Sequence, residues 1–395
     1  MTTTPSSEPV SKIPFYRDER VLRWVAQIIS AVLVIGFLIW AGLNFVEAAK
    51  ARGLNLGYQF LKLPAGFPIS DPGIEYDPQM SFGRAFLVGL VNTLRVSVVG
   101  VLIATVLGTL IALARISNNW LLSKLALVYI EFHRNIPLLV LLFLWYFTAF
   151  QQFPNVDNAI KLPGPIYLTQ RGVYLTWPRL NESGLLFSIF LIVGIILSLV
   201  TFIVLRRRRA ITGQKTYHVQ ISLAILVLFP IIGWFASGGN PLYLDIPSLV
   251  QKNFQGGLRI RPEFGALLVG LTTYTAAFIA EVVRAGIQAV SKGQIEAARA
   301  VGLNNVQVLS LVVLPQALRV MIPPMISQYL NLTKNSSLAL AIGYQDLFSV
   351  GKIAINQAGR AVPVFILIMV SYLTLSLLTS FVLNLYNKRI QLVER

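Results

Sequence analysis

Long apolar runs separated by short polar stretches recur along the whole chain, and their lengths are those of membrane spans rather than of buried helices. Windows of roughly 20 mainly apolar residues cross about 30 Å of hydrocarbon at 1.5 Å per residue. Such windows lie near residues 23–46, 85–113, 137–153, 185–205, 219–236, 264–286, 309–331 and 363–386. Eight membrane helices are therefore predicted. The stretch leading into the third window, "WLLSKLALVYIEFHRNIPLLVLLFLWYF", would exceed about 40 Å as one helix and cannot be a single straight crossing. Pro137 removes a backbone donor and crowds the preceding turn. Residues 121–135 are accordingly read as a helix in the cytoplasmic interface, with Glu131, His133 and Arg134 near the headgroups and the crossing beginning at Pro137.

The polar residues between the windows give the orientation. With 55% hydrophobic and only 12% charged residues, against about 25% charged in soluble domains, the chain belongs in a bilayer. A net charge of +17 would suggest nucleic acid in a soluble protein, but here it reads as Lys and Arg retained on the cytoplasmic side of the spans. Threading with the N-terminus inside places Lys12, Arg17, Arg20 and Arg23, then Arg115 and Lys124, then Arg206 to Arg209 with Lys215, then Lys388 and Arg389 in the cytoplasm. Both termini are expected there, and so is the segment 287–308. The four consecutive arginines read as a topology anchor, with an anionic-lipid site as the alternative. The polar stretch before the first span lacks the small-residue cleavage site of a signal peptide, so that span is expected to be retained. The absence of cysteine excludes disulfides and thiolate metal sites, and His133 and His218 alone make no typical zinc site.

The expected organisation is a cytoplasmic tail (1–22), an N-terminal span (23–46), an outside loop (47–83) and two spans with the interfacial helix (84–150). An insertion follows at 151–262, two outside loops enclosing two further spans that are joined by "RRRRAITGQKT". Residues 263–388 hold the last three spans and the loop 287–308, and 389–395 form a cytoplasmic end.

That loop reads "GQIEAARAVGLNN". Glu296 is expected in the first turn of a short helix, complementing its dipole, and Ala297, Ala298 and Ala300 combine helix propensity with a small surface that another protein can approach. Gly302 fits a left-handed helix end. The following span holds Pro315, Pro323 and Pro324, which free backbone carbonyls and suit a helix lining neighbours or a cavity rather than a plain anchor.

In this segment the chain resembles the membrane permeases of ABC importers, whose cytoplasmic signature runs Glu-Ala-Ala, three residues, Gly, nine residues, Ile, one residue, Leu-Pro. The match is Glu296, Ala297, Ala298, Gly302, Leu314 and Pro315, with Val312 in place of Ile. The segments "YIEFHRNIPLLVLLFLWYF", "YTAAFIAEVVRAGIQAVSKGQIEAARAVGL" and "LTKNSSLALAIG" are similar to the polar amino-acid branch, and the length and inserted hairpin to the general L-amino-acid systems. The resemblance implies an all-α type I importer fold with a five-helix core, an extra N-terminal span and an inserted hairpin, in the bacterial inner membrane. It implies that the loop couples to ATPase subunits, and that the partners are a second, related permease chain in a heterodimer, two ABC ATPases and a periplasmic amino-acid-binding protein. No phosphate-binding loop G-x-x-x-x-G-K-[ST] is present, so no cofactor is expected on this chain and ATP with Mg is used by the partners.

Ionisable and polar groups within spans are candidates for the pathway. Thr273, Ala277, Glu281 and Arg284 share one helix face, with a possible Glu281–Arg284 pair at i, i+3. This mixed-charge face suits an amino acid, and a purely structural pair is the alternative. Arg95 lies too deep for easy snorkelling, and either binds a substrate carboxylate or packs with a polar neighbour such as Asn92. The run Thr333, Lys334, Asn335, Ser336 and Ser337 is read as a break lining the outer pathway or as an ordinary outside loop. An ion-coupled secondary transporter is the alternative function. It predicts inverted repeats, which the sequence does not show, and leaves the Glu-Ala-Ala loop without a role. A membrane enzyme is weaker still, because no cluster of acid, base or metal-binding residues recurs on the spans.

Overall fold

The computed structural model describes residues 19–53 and 55–390. The expected tail cations Lys12 and Arg17 and the last five residues lie outside them. Among the described residues twelve α-helices run as α1 (Glu19–Ala51), α2 (Phe82–Ile116), α3 (Trp120–Asn135), α4 (Leu138–Phe143), α5 (Gly184–Thr212), α6 (His218–Ala236), α7 (Pro262–Gln288), α8 (Lys292–Ala300), α9 (Asn305–Gln307), α10 (Leu314–Asn335), α11 (Leu347–Ala358) and α12 (Ala361–Ile390). Seven helical segments are long and apolar enough to cross a membrane among the described residues, and the bent pair α3–α4 makes an eighth if counted as one span.

The core gathers around α7, 61% of whose most apolar stretch is buried, against none of that of α1. Helices α2, α3, α4 and α10 pack on it. The α2–α7 contact is close because Gly108 has no side chain: a Cβ there would stand 2.8 Å from the carbonyl oxygen of Ala276. Helix α3 starts at Asn119, whose side chain accepts from the Leu122 amide, and it meets the helix after Pro137 at 107°. It is more than an interfacial helix. Ala126, Ile130 and His133 are buried on it, and the Tyr129 hydroxyl donates to the Thr273 carbonyl at 2.8 Å.

Two regions read as plain loops are folded. Residues 58–81 form a strap across the start of α2, where Phe60, Phe67 and Ile69 pack with Phe82, Phe86, Leu347 and Val364. Within it the Tyr76 hydroxyl donates to the Phe67 carbonyl, and burial, followed by the charge of Asp77, raises the tyrosine above its ordinary pKa. The insertion also carries strands. β1 (Ile160–Leu162), β2 (Ile166–Thr169), β3 (Gly172–Leu175) and β8 (Leu258–Ile260) form an antiparallel sheet in that order, with Val173 opposite Ile260. Strands β4 (Trp177–Leu180) and β5 (Leu242–Asp245) pair at the base of the α5–α6 hairpin, and β6 (Ser248–Val250) pairs with β7 (Asn253–Gln255). The result is a small strand cap at the start of α7, the end opposite to α8. The hairpin is held within itself: a Cβ on Gly194 would meet Phe229, and one on Gly233 would meet Phe190.

Candidate functional site

The loop after α7 forms a protruding knob. Helix α8 begins at Lys292, one turn earlier than expected, so Glu296 lies in its second turn and not at the positive end of the dipole. Its side chain is exposed, as is Ala297, while Ala298 is 7% exposed and packs inward beside Ile295 and Leu303. The helix closes as expected. Gly302 has φ +85°, its amide bonds to the Arg299 carbonyl at 3.0 Å and the Leu303 amide to the Ala298 carbonyl at 3.2 Å, a left-handed helix end. The chain restarts at Asn304, which forms a reciprocal capping box with Gln307.

What sequence reading passed over is the tip itself: Val301 is 77% exposed and Val306 74%. Two bare β-branched side chains beside a small-residue helix make an apolar tip, and a run of exposed apolar positions flanking the turn was the available signal. From the knob the chain enters a π-helical turn at Val308–Val313 before Leu314 and Pro315 open α10. The wider turn precedes the position at which Pro315 can donate no hydrogen bond, the setting in which such turns relieve a missing donor. Pro323 and Pro324 lie inside α10, which continues through both.

A second site lies between α7 and α10, a cavity of about 260 Å³ lined by Tyr274, Thr275, Phe278, Gln328, Asn331 and Asn335. It holds amide and hydroxyl groups and two aromatic rings. Of the expected pathway face, Thr273 returns its hydroxyl to the Val269 carbonyl and Ala277 is wholly buried, so the cavity is lined by the neighbouring stripe. Glu281 and Arg284 pair in a fork, with contacts of 3.1 and 2.7 Å, and Arg284 also reaches Gln288 at 2.7 Å. That pair belongs to the knob end of α7.

The signature loop set between two core helices invites comparison with known proteins. Residues 104–392 match the model of the binding-protein-dependent transport system inner membrane component. The chain belongs to this family of transporter permeases. Full-length relatives share its extra segments too. It is 42% identical over 96% of its length to the putative amino-acid ABC transporter permease YhdX of Escherichia coli, covering 97% of that protein. It is 42% identical over 93% of its length to the general L-amino acid transport system permease AapQ of Rhizobium johnstonii, covering 92%. It is 39% identical over 96% to the glutamate/glutamine/aspartate/asparagine permease BztB of Rhodobacter capsulatus, again covering 96%. The permease is thus a multi-pass membrane subunit with the type I importer fold, and the ion-coupled secondary transporter is set aside.

The remaining expected residues take mixed places in the permease. Arg95 is paired with Asp71 of the strap at 3.2 Å and its guanidinium stands 4.5 Å over the Phe264 ring. Asn92 is fully buried and fastens the strap, accepting from the Gly73 amide and donating to the Gln345 carbonyl. Residues 332–339 are no outside loop. Helix α10 tightens there into a 3-10 turn at Ser336–Ile342, and Thr333 and Ser336 return their hydroxyls to the Tyr329 and Thr333 carbonyls. Of this run only Asn335 reaches the cavity, while Lys334 faces Phe348 and Tyr372.

Sequence reading missed Asp346 altogether. It is fully buried, caps α11 through the Ser349 amide at 2.9 Å, accepts the Ser349 hydroxyl at 2.8 Å, and accepts the Tyr372 hydroxyl of α12 at 2.9 Å. The spacing of Asp346 and Ser349 before an apolar run was the available signal.

Proposed function

We propose that this permease is one half of the membrane pathway of an ATP-driven importer of L-amino acids. Its partners in this reading are a second, related permease chain, two ABC ATPase subunits and a periplasmic amino-acid-binding protein. The threading of Lys and Arg puts α8 and both termini in the cytoplasm of a bacterial inner-membrane protein. ATP and Mg act on the ATPase subunits, and this chain carries no covalent chemistry. The observation that carries the reading is the knob: α8 and α9 present Glu296, Ala297, Val301 and Val306 outward while Ala298, Ile295 and Leu303 hold the same turn to the core. A body docked on the tip therefore moves the start of α10 and the end of α7 together, and these are the helices that flank the polar cavity.

The substrate follows from two sources. The relatives named for amino-acid transport align over nearly the full chain. The cavity lining, amides and hydroxyls beside aromatic rings, can donate to a carboxylate and accept from an ammonium group. Val301→Asp puts a charge on the apolar tip without touching the fold, and Gly302→Ala forces a Cβ into a left-handed backbone, at about 1–2 kcal/mol. Each is expected to leave the permease in the membrane while lowering ATPase co-purification and amino-acid uptake at least about tenfold, the effect of losing one anchor at an interface core. Uptake and co-purification unchanged in both variants would remove the coupling role.

A further inference from the structure

The strand cap carries an excess of cations over acids that the membrane orientation does not account for. Residues 151–183 and 237–261 hold Lys161, Arg171, Arg179, Lys252, Arg259 and Arg261. Against these six stand three acids, Asp157, Glu182 and Asp245, and Asp245 is already paired with Arg179 at 2.6 Å. Retention of cations on the inner side explains Arg206 to Arg209 at the far end of the hairpin, but not a basic cluster at the opposite end. Nor is the outer side basic throughout. The strap at 58–81 carries Lys62 against Asp71, Glu75 and Asp77, so the positive charge is particular to the cap.

Two of these cations, Arg171 and Arg259, are anchored on backbone carbonyls, one of them that of Lys252. The Arg171 guanidinium donates to the Lys252 carbonyl at 2.9 Å, and the Arg259 guanidinium donates twice to the Arg171 carbonyl, at 3.1 and 2.7 Å, while lying 5.6 Å over the Tyr174 ring. Arg171 and Lys252 are exposed, and no carboxylate among the described residues pairs with Arg171, Lys252 or Arg259. Backbone-anchored guanidinium groups have surrendered much of their rotamer freedom before any partner arrives, so less is lost when they bind.

We propose that this cap is a docking face for an acidic surface of the soluble substrate-binding protein on which the transport system depends. The proposal rests on the importer reading. The occupant follows from the charge, from the family's dependence on a binding protein, and from position. Strand β8 ends at Ile260 and α7 begins at Pro262, so the docked protein grips the outer end of the helix whose inner end leads to the knob. Electrostatic attraction of this kind also speeds encounter and weakens with salt.

The test uses the assembled permease–ATPase complex in nanodiscs and the purified binding protein that stimulates its ATPase. Arg171→Glu with Lys252→Glu is expected to weaken binding at least about tenfold, as reversed charges at a steering face do, with basal ATPase retained as the sign of an intact complex. Arg171→Gln with Lys252→Gln is expected to fall between, and Arg207→Gln with Arg208→Gln at the other end, which keeps two of the four anchoring arginines, to leave binding-protein affinity unchanged. Wild-type affinity is expected to drop as salt rises. Undiminished binding by the Glu pair overturns the proposal. So does a Glu pair that docks normally and loses only its attachment to phosphatidylglycerol vesicles, which would assign the cations to lipid. A wild-type complex that no binding protein stimulates would instead bring down the importer reading itself.

Discussion

Arg95 finds its partner 24 residues upstream, in Asp71 of the strap, and not on its own helix. This answers the question its depth in α2 poses: the charge is neutralised by an internal carboxylate and capped by the Phe264 ring. If the pair serves to fasten the strap, Arg95→Gln and Asp71→Asn are each expected to lower the thermal unfolding midpoint, and the double variant no further than the worse single one. A coupling near 1 kcal/mol is expected for a pair of this partial exposure, and strictly additive losses in a double-mutant cycle would show that the two act independently. Local geometry made some residues readable in advance and long-range pairing hid others. Gly302 was legible because a left-handed helix end is a property of a few consecutive residues. The partners of Arg95 and Asn92 were not, because Asp71, Gly73 and Gln345 reach them only once the strap and the segment before α11 have folded over α2.

Among the elements, α11 shows why hydropathy alone falls short. Its 12 residues, "LFSVGKIAINQA", are too short and too mixed to register as a span, yet Leu347, Val350 and Ala354 are buried against α2 and α12. Asp346 anchors it. Because Tyr372 supplies one of the bonds to that buried carboxyl group, Tyr372→Phe is expected to cost about 1–3 kcal/mol, the penalty of leaving a buried acceptor short of a partner. The loss should appear as earlier thermal unfolding of the purified permease, with α11 amides the first to gain hydrogen exchange. Unchanged exchange in α11 would show that α12 does not hold it. The long apolar helices were legible by contrast, since each carries its signal in its own composition. Helix α3 was half legible: Pro137 announced the break, but the burial of His133 and the Tyr129 bond to α7 depend on a neighbour more than a hundred residues away.

At the scale of the molecule, the compact core around α7 and the outlying α1 and α5–α6 hairpin differ in what holds them. The hairpin packs on itself, and its base is closed by the β4–β5 ladder with Leu180 opposite Leu242. Replacing residues 181–241 by a two-residue Asn-Gly turn, which suits such an antiparallel pair, is expected to leave the core folded and still able to co-purify with ATPase subunits. Loss of assembly on this deletion would show that the hairpin is part of the core after all. Strands of three or four residues, interrupted by Pro and Gly, gave no alternation long enough to read, and β8 and β5, the partners of β3 and β4, lie on the far side of two spans. That separation has a consequence for synthesis. Strand β3 emerges from the ribosome before α5, whereas β8, which covers its edge, follows only after α6. An uncovered strand edge invites wrong pairing, so the cap can be finished only once both hairpin helices have been made. Until then the β3 edge stays open, and the time taken to make and insert the hairpin sets how long it is exposed.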